Sequence, residues 1–463
     1  MTLLLIILAY IALQLAIAWW FRRPAQSESD YLLAGRSLGP WMATFAVFAT
    51  WFGAETCIGA AGEAYQYGLS GVLADPFGYT LGMVAVGLVV AVPLWRRGVT
   101  TLADLFRTRY GMGIERLAAI VMIPSSLLWA AAQMRAFGQV LASASDWGLM
   151  ACMTLAAVVV IAYTAFGGMW SDAVTDLVQG VVLIAGLLIL AAVFFWQDGA
   201  AHLAALPPAR LDPLHDRSGW DALETLLVPI FSTLAAQELA SRVLAMRSAP
   251  LARGATLAGA GLYFAMAMIP LMLGLAAVSM LGTGLDPEQV VTRFAAEALP
   301  FPLYALFICA LVSAILSTLS GALLVAGSLA AHNLLLPARP HWSESAKLRA
   351  NRVAVVLFGV VTYGLALGSD SVYGLVEEAA GFGTAGVFVL LVASLWNRRP
   401  GSAWAAGTAL VGGTLSYALA AHVWQVETPY LLSLATAGIG YLLVAFVHKK
   451  APPQRGFHEQ SLT

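Results

Sequence analysis

Thirteen apolar windows, each about as long as the ~20 residues a helix needs to cross hydrocarbon, succeed one another along nearly the whole of this 463-residue chain. They lie near residues 2–20, 41–64, 70–95, 117–143, 149–166, 173–196, 221–241, 254–282, 301–333, 350–368, 372–396, 402–422 and 428–447. Inside a bilayer the backbone polar groups have to be satisfied within the protein, which windows of this length achieve as helices. The expectation is an all-α, polytopic membrane protein of about thirteen transmembrane helices. Only 11% of the residues are charged, against about 25% in a soluble domain.

Charge placement tests the register of these windows. With the N-terminus outside, Lys and Arg fall in the inside loops: Arg22, Arg23, Arg36; Arg96, Arg97, Arg107, Arg109, Arg116; Arg242, Arg247, Arg253; Arg339, Lys347, Arg349, Arg352; and Arg398, Arg399, Lys449, Lys450, Arg455. Of the 24 basic residues only Arg210, Arg217 and Arg293 fall outside, with Arg135 inside a span. That bias is the positive-inside rule. It predicts an inner (cell) membrane protein with a cytoplasmic C-terminus and a retained first helix rather than a cleaved signal. The net charge of −1 excludes nucleic acid as a bulk electrostatic partner. Cys57, Cys152 and Cys309 all lie in apolar spans and read as small buried hydrophobes. The inside loop 96–116 reads as a short interfacial helix or a plain tether.

One apolar window is unusually rich in hydroxyls. Ala310–Ser328, ALVSAILSTLSGALLVAGS, carries Ser313, Ser317, Thr318 and Ser320. Ala314, Ser317 and Thr318 stand at i, i+3 and i+4 and share a helix face. Such oxygens suit a small hard cation; they also suit back-bonding to the carbonyl one turn earlier. Two other windows look interrupted. Span 41–64 contains ATWFGAETCIGAAGEA, and span 221–241 contains VPIFSTLAAQELAS. Paired interruptions five helices apart point to an inverted-repeat secondary transporter; packing kinks at small residues are the plainer reading.

Three ordered motifs, DYLLAGRSLGPW (Asp30–Trp41), TAFGGMWSDAVTDLVQG (Thr164–Gly180) and SAILSTLS (Ser313–Ser320), resemble the sodium:solute symporter family over nearly the whole chain. ATWFG, GEAYQYGLSG, FGYTLG, LLWAAAQ and SRVL resemble its choline-transporter-like branch. The resemblance implies a leucine-transporter-like 5+5 inverted repeat: an extra helix at 2–20, repeats at 41–196 and 221–396, two further helices at 402–447 and a short tail at 449–463. It implies Na⁺ as the coupling ion, bound by the carbonyls of Ala49, Phe52 and Ala314 and the hydroxyls of Ser317 and Thr318. Asp176 matches a family acid that would relay the ion inward; the alternative is a helix-start acid on the dipole.

Trp51, Tyr79 and Trp129 match three aromatic positions of the choline-like pocket, and aromatic faces attract desolvated ammonium. Ala236 stands where a fourth aromatic is expected, which counts against choline itself. Glu55 lies one turn beyond Trp51, and intramembrane acids are functional candidates by default. It either faces a cationic amine or pairs with Arg135; Arg135 either holds a substrate carboxylate or pairs with Glu63. Gln133 and Gln237 are expected to hydrogen-bond the solute. At least one of Glu377 and Glu378 is expected in a solvated outer vestibule. The resulting expectation is a Na⁺-coupled importer of an amine, betaine or amino-acid-like solute, monomeric or loosely oligomeric. A carboxylate symporter using Arg135 and a transporter-like sensor are the alternatives. No pattern for an enzyme appears.

Overall fold

The computed structural model describes residues 2–21, 23, 25–369, 371–396 and 402–448; Arg22, Arg398, Arg399 and the 449–463 tail lie outside these. The principal helices are α1 (Thr2–Trp20), α2 (Pro40–Trp51), α3 (Ala60–Tyr67), α4 (Tyr79–Ala85), α5 (Leu102–Tyr110), α6 (Met112–Ser143), α7 (Leu149–Trp196), α8 (Gly219–Ala235), α9 (Gln237–Ala245), α10 (Ala249–Leu281), α11 (Phe301–Ser328), α12 (Glu344–Leu367), α13 (Val372–Gly381), α14 (Thr384–Trp396), α15 (Ala403–Ala418) and α16 (Pro429–His448). Among the described residues, eight helices are long and apolar enough to span a membrane, or ten when two bent pairs each count as one. Among the described residues no strand forms; Leu38 and Met246 make an isolated parallel bridge that ties the start of α2 to the end of α9.

α11 is the core. Every residue from Phe307 to Ser328 is buried, as expected for a helix apolar all round. It packs against α6, α7, α12 and α1. The Tyr10 hydroxyl of α1 meets Ser313 Oγ, so the extra N-terminal helix covers the hydroxyl face on one side.

Three breaks position the rest. α2 stops at Trp51 because Phe52 turns out of the helix (φ −82°, ψ 80°); the chain resumes as a wide turn over Glu55–Gly59 before α3. α8 and α9 are bent by 43° at Ala236 (ψ 123°), seven residues beyond Pro229. α7 kinks at Gly168 (φ 64°). A side chain there would strain the backbone and put a Cβ 2.8 Å from the Tyr31 ring. The Tyr31 hydroxyl in turn donates to the carbonyls of Thr164 and Ala165. The DYLL and TAFGG motifs are thus two halves of one contact.

The loop 96–116 folds into α5. Thr101 and Asp104 form a capping box at its start, and Leu102, Leu105 and Phe106 are fully buried. It is an integral packed element rather than a tether.

Candidate ion and solute site

The break after α2 frees backbone groups deep in the protein. Ala54 N–H is satisfied by Gln133 Oε1 at 2.8 Å. Gly53 has room for this only because it lacks a Cβ, which would lie 2.6 Å from the same oxygen. Gln133 is fully buried and its amide oxygen caps the break, while its Nε2 has no hydrogen-bond partner among the described residues.

Facing the break, α11 brings its two hydroxyls to one carbonyl. Ser317 Oγ lies 3.1 Å from Ala49 O and 2.6 Å from Asp176 Oδ1. Thr318 Oγ1 lies 3.0 Å from Ala49 O and 3.1 Å from Ala314 O. Each hydroxyl has one proton, so each meets more acceptors than it can serve. The cluster holds a surplus of oxygen lone pairs, the environment a hard monovalent cation requires. Back-bonding is present as well, from Thr318 to Ala314 and from Ser313 to Cys309. Phe52 is buried at the same break.

Asp176 does not sit at a helix start. It lies eight residues beyond the Gly168 kink, wholly buried. Its Oδ2 is 3.5 Å from Arg242 Nη2, which also holds Asp172 at 2.6 Å. Arg242 Nε donates to Thr50 Oγ1 at 2.9 Å, and Ser320 donates to Asp172. Assigning Arg242 to an inside loop is thus wrong; its side chain is 2% exposed. Removing a lone charge from water is costly, and two carboxylates offset that cost here. The Asp172/Asp176 spacing of four, with Arg242 ending the broken helix, is the sequence signal for this network.

The three aromatics converge. The Trp51 and Trp129 rings are 5.7 Å apart and the Tyr79 and Trp129 rings 6.0 Å apart, centroid to centroid. They line a cavity of about 40 Å³ with Ala236, Glu238 and Thr318. Thr318 and Trp51 therefore touch both the cavity and the oxygen cluster or its break.

Glu55 and Arg135 are not in that cavity. Glu55 lines a second cavity of about 130 Å³, on the Tyr79 wall, together with Glu224, Tyr373 and Glu377. It neighbours Asp75, which accepts hydrogen bonds from Thr56 and Tyr263. Arg135 Nη1 donates to the Ser369 carbonyl. Glu63 lies near the charges of Glu377 and Arg217. Glu378 is held by His422 at 3.2 Å. Gln237 borders the aromatic cavity, but its amide is committed elsewhere. Oε1 accepts from Leu102 N–H at 2.7 Å and Nε2 donates to Ser241 at 2.9 Å. It fastens α5 under the break.

α5 is fastened again by Asp104, which accepts from Asn333 at 2.9 Å and faces His332 at 3.1 Å; His332 also meets Glu28 at 3.1 Å. Burial pushes the Asp104 carboxyl up. Its bonds to His332 and to the N–H groups of Thr100 and Thr101 outweigh this and hold it below the usual carboxylate range.

The family model for "Sodium:solute symporter family" matches residues 31–412. The chain belongs to the sodium:solute symporter family. It is 29% identical over 392 residues to the high-affinity choline transporter 1 of Drosophila melanogaster, covering 80% of this chain and 62% of that protein, under two thirds of its length. It is 27% identical over 400 residues to the high affinity choline transporter 1 of Homo sapiens (81% and 69% covered). With the osmoregulated proline transporter OpuE of Bacillus subtilis it shares 26% over 481 residues (95% and 94%). Among solved structures it superposes on a Na⁺-coupled sialic acid symporter in a substrate-bound outward-open state, with TM-score 0.81, 17% identity and coverage of 96% and 98%. It superposes on the nucleobase-cation-symport-1 transporter MHP1 with TM-score 0.62, 14% identity and coverage of 93% and 96%. These relatives are transporters, not enzymes, and the choline-like resemblance of the motifs agrees with the two choline transporters. Glu238 and Arg242 are not among the expected site residues. Both lie in the QELASR run of the second broken helix, where polar and charged residues interrupt an apolar window.

Proposed function

We propose that this chain is a Na⁺-coupled secondary transporter that imports a small positively charged or zwitterionic organic solute by alternating access. The observation that carries the reading is the meeting of Ser317 and Thr318 with the Ala49 carbonyl at a helix break. In this reading the carbonyls of Ala49, Phe52 and Ala314 and the two hydroxyls hold the ion. Asp176, bonded to Ser317, takes part in its release. Solute occupies the aromatic cavity. Coupling is short-range: Thr318 borders the cavity, so ion and solute order the same turn of α11, and each strengthens the other's binding reciprocally.

Thirteen crossings with the N-terminus outside and the C-terminus inside a cell membrane fit the basic-loop bias, and the two repeats fit the paired breaks. The protein works as a monomer or in a loose oligomer. An organic anion held by Arg135 has less support, because Arg135 is bonded to Ser369 and a carboxylate, Glu238, borders the aromatic cavity. The test is uptake in proteoliposomes by the Ser317→Ala/Thr318→Ala double variant. The Na⁺ concentration for half-maximal uptake should rise at least about tenfold, or ~1.4 kcal/mol. Unchanged Na⁺ dependence would falsify the site.

A further inference from the structure

The aromatic cavity departs from a purely aromatic cage at one place, and two changes there act together. Where the choline-like pattern places a fourth aromatic, Ala236 leaves a gap. Two residues on, Glu238 borders the same cavity. No Lys, Arg or His borders it. Glu238 Oε1 accepts from Ser126 Oγ at 2.6 Å, and Arg242, on the same helix, is already bonded to Asp172 and Thr50. The carboxylate also sits in the first turn of α9, where the helix dipole favours a negative charge. In transporters of this kind a half-helix N-terminus is the usual seat for a solute carboxylate. Here the protein's own carboxylate fills it. The indole N–H of Trp51, 4% exposed and bordering the cavity, has no hydrogen-bond partner among the described residues.

A quaternary ammonium offers no N–H and is held by ring faces alone. A protonated amine offers N–H donors and forms a short, charge-assisted bond with a carboxylate. Losing one ring wall weakens the first kind of ligand, and gaining a carboxylate strengthens the second. We propose that Glu238 is the charge partner of the solute, and that the cavity selects a small protonated amine bearing at least one N–H. Such a solute would also carry an oxygen acceptor for Trp51 N–H; quaternary ammonium and carboxylate-bearing solutes are disfavoured. This rests on the transporter reading above and narrows its solute to the cationic class.

The test uses purified full-length protein and two probes that differ by one methyl group, N,N-dimethylethanolamine and choline, with glycine betaine as the zwitterion. Binding is read from quenching of tryptophan fluorescence in Na⁺ and in K⁺. Dimethylethanolamine should bind at least tenfold more tightly than choline, and betaine more weakly still. Glu238→Gln should weaken dimethylethanolamine at least about thirty-fold, the scale of removing one member of a buried charge pair, and narrow its advantage over choline. Thermal stabilisation by Na⁺ alone, measured on the same variant, should be unchanged, which shows that the fold and ion site survive. Glu238→Asp should recover part of the loss. Equal dimethylethanolamine binding by Glu238→Gln overturns the proposal, as does tighter Na⁺-dependent binding of choline or betaine by the unaltered protein. If Na⁺ stabilises nothing in the unaltered protein, it is the sodium reading that fails. The Glu238 comparison is still decided by the amine arm.

Discussion

Single side chains decide whether the centre of this protein is tolerable in a low-dielectric interior. Arg242 neutralises Asp172 and touches Asp176. Arg242→Ala would leave two buried carboxylates without their countercharge, a loss of about 3–5 kcal/mol. A large fall in melting temperature in detergent, or failure to accumulate, is the expected outcome. Arg242→Lys should do less harm yet fall short of the original, since an ammonium cannot reproduce the fork of donors. Gln133→Leu strands the Ala54 N–H at the break and should cost about 1–3 kcal/mol. The same unfolding assay checks it, and a change below 0.5 kcal/mol (roughly the noise for neutral surface changes) would contradict the capping role. Of these residues the sequence made the oxygen ligands readable, because hydroxyls inside an apolar window are conspicuous. It did not reveal what Gln133, Gln237, Glu55 and Arg135 do. A polar side chain in a span signals only that a partner exists; the partner, on a helix far along the chain, is fixed by tertiary packing.

At the level of elements, the breaks and the α5 latch are the parts that can be loosened separately. Gly168→Ala forces a side chain into a positive-φ position against Tyr31 and should destabilise by about 1–3 kcal/mol. α5 is latched by Gln237 and Asp104. The folded state holds Asp104 below the usual carboxylate range, so its contribution is fully present above that range. It is lost as pH falls through the lowered value. Thermal stability traceable to Asp104, measured against Asp104→Asn, should therefore shrink as the pH falls below about 5. A difference that persists undiminished into strong acid would refute it. The interruption of span 41–64 was legible from its glycines. In span 221–241 the proline draws attention to the wrong place: the bend falls at Ala236, which carries no turn signal and is set by what packs around it.

For the molecule as a whole, the windows and the basic loops conveyed a helical membrane fold without any pairwise contact being known, because lipid leaves so few solutions. They could not show that Arg242 turns inward, since a residue at a helix end is compatible with either surroundings. A carrier whose site opens to one side at a time exchanges solute across the membrane, whereas a pore does not. Proteoliposomes preloaded with unlabelled amine should accumulate labelled amine by counterflow with Na⁺ on both sides; simple equilibration would remove the alternating mechanism. The encasement of α11 has a mechanical corollary. In the proposed cycle, a rod gripped around its full circumference over Phe307–Ser328 would serve as the stator and the severed helices as the moving vanes. Spin labels placed on α11 and α7 should hold their separation throughout the cycle, and those bridging α11 to α3 or α8 should not.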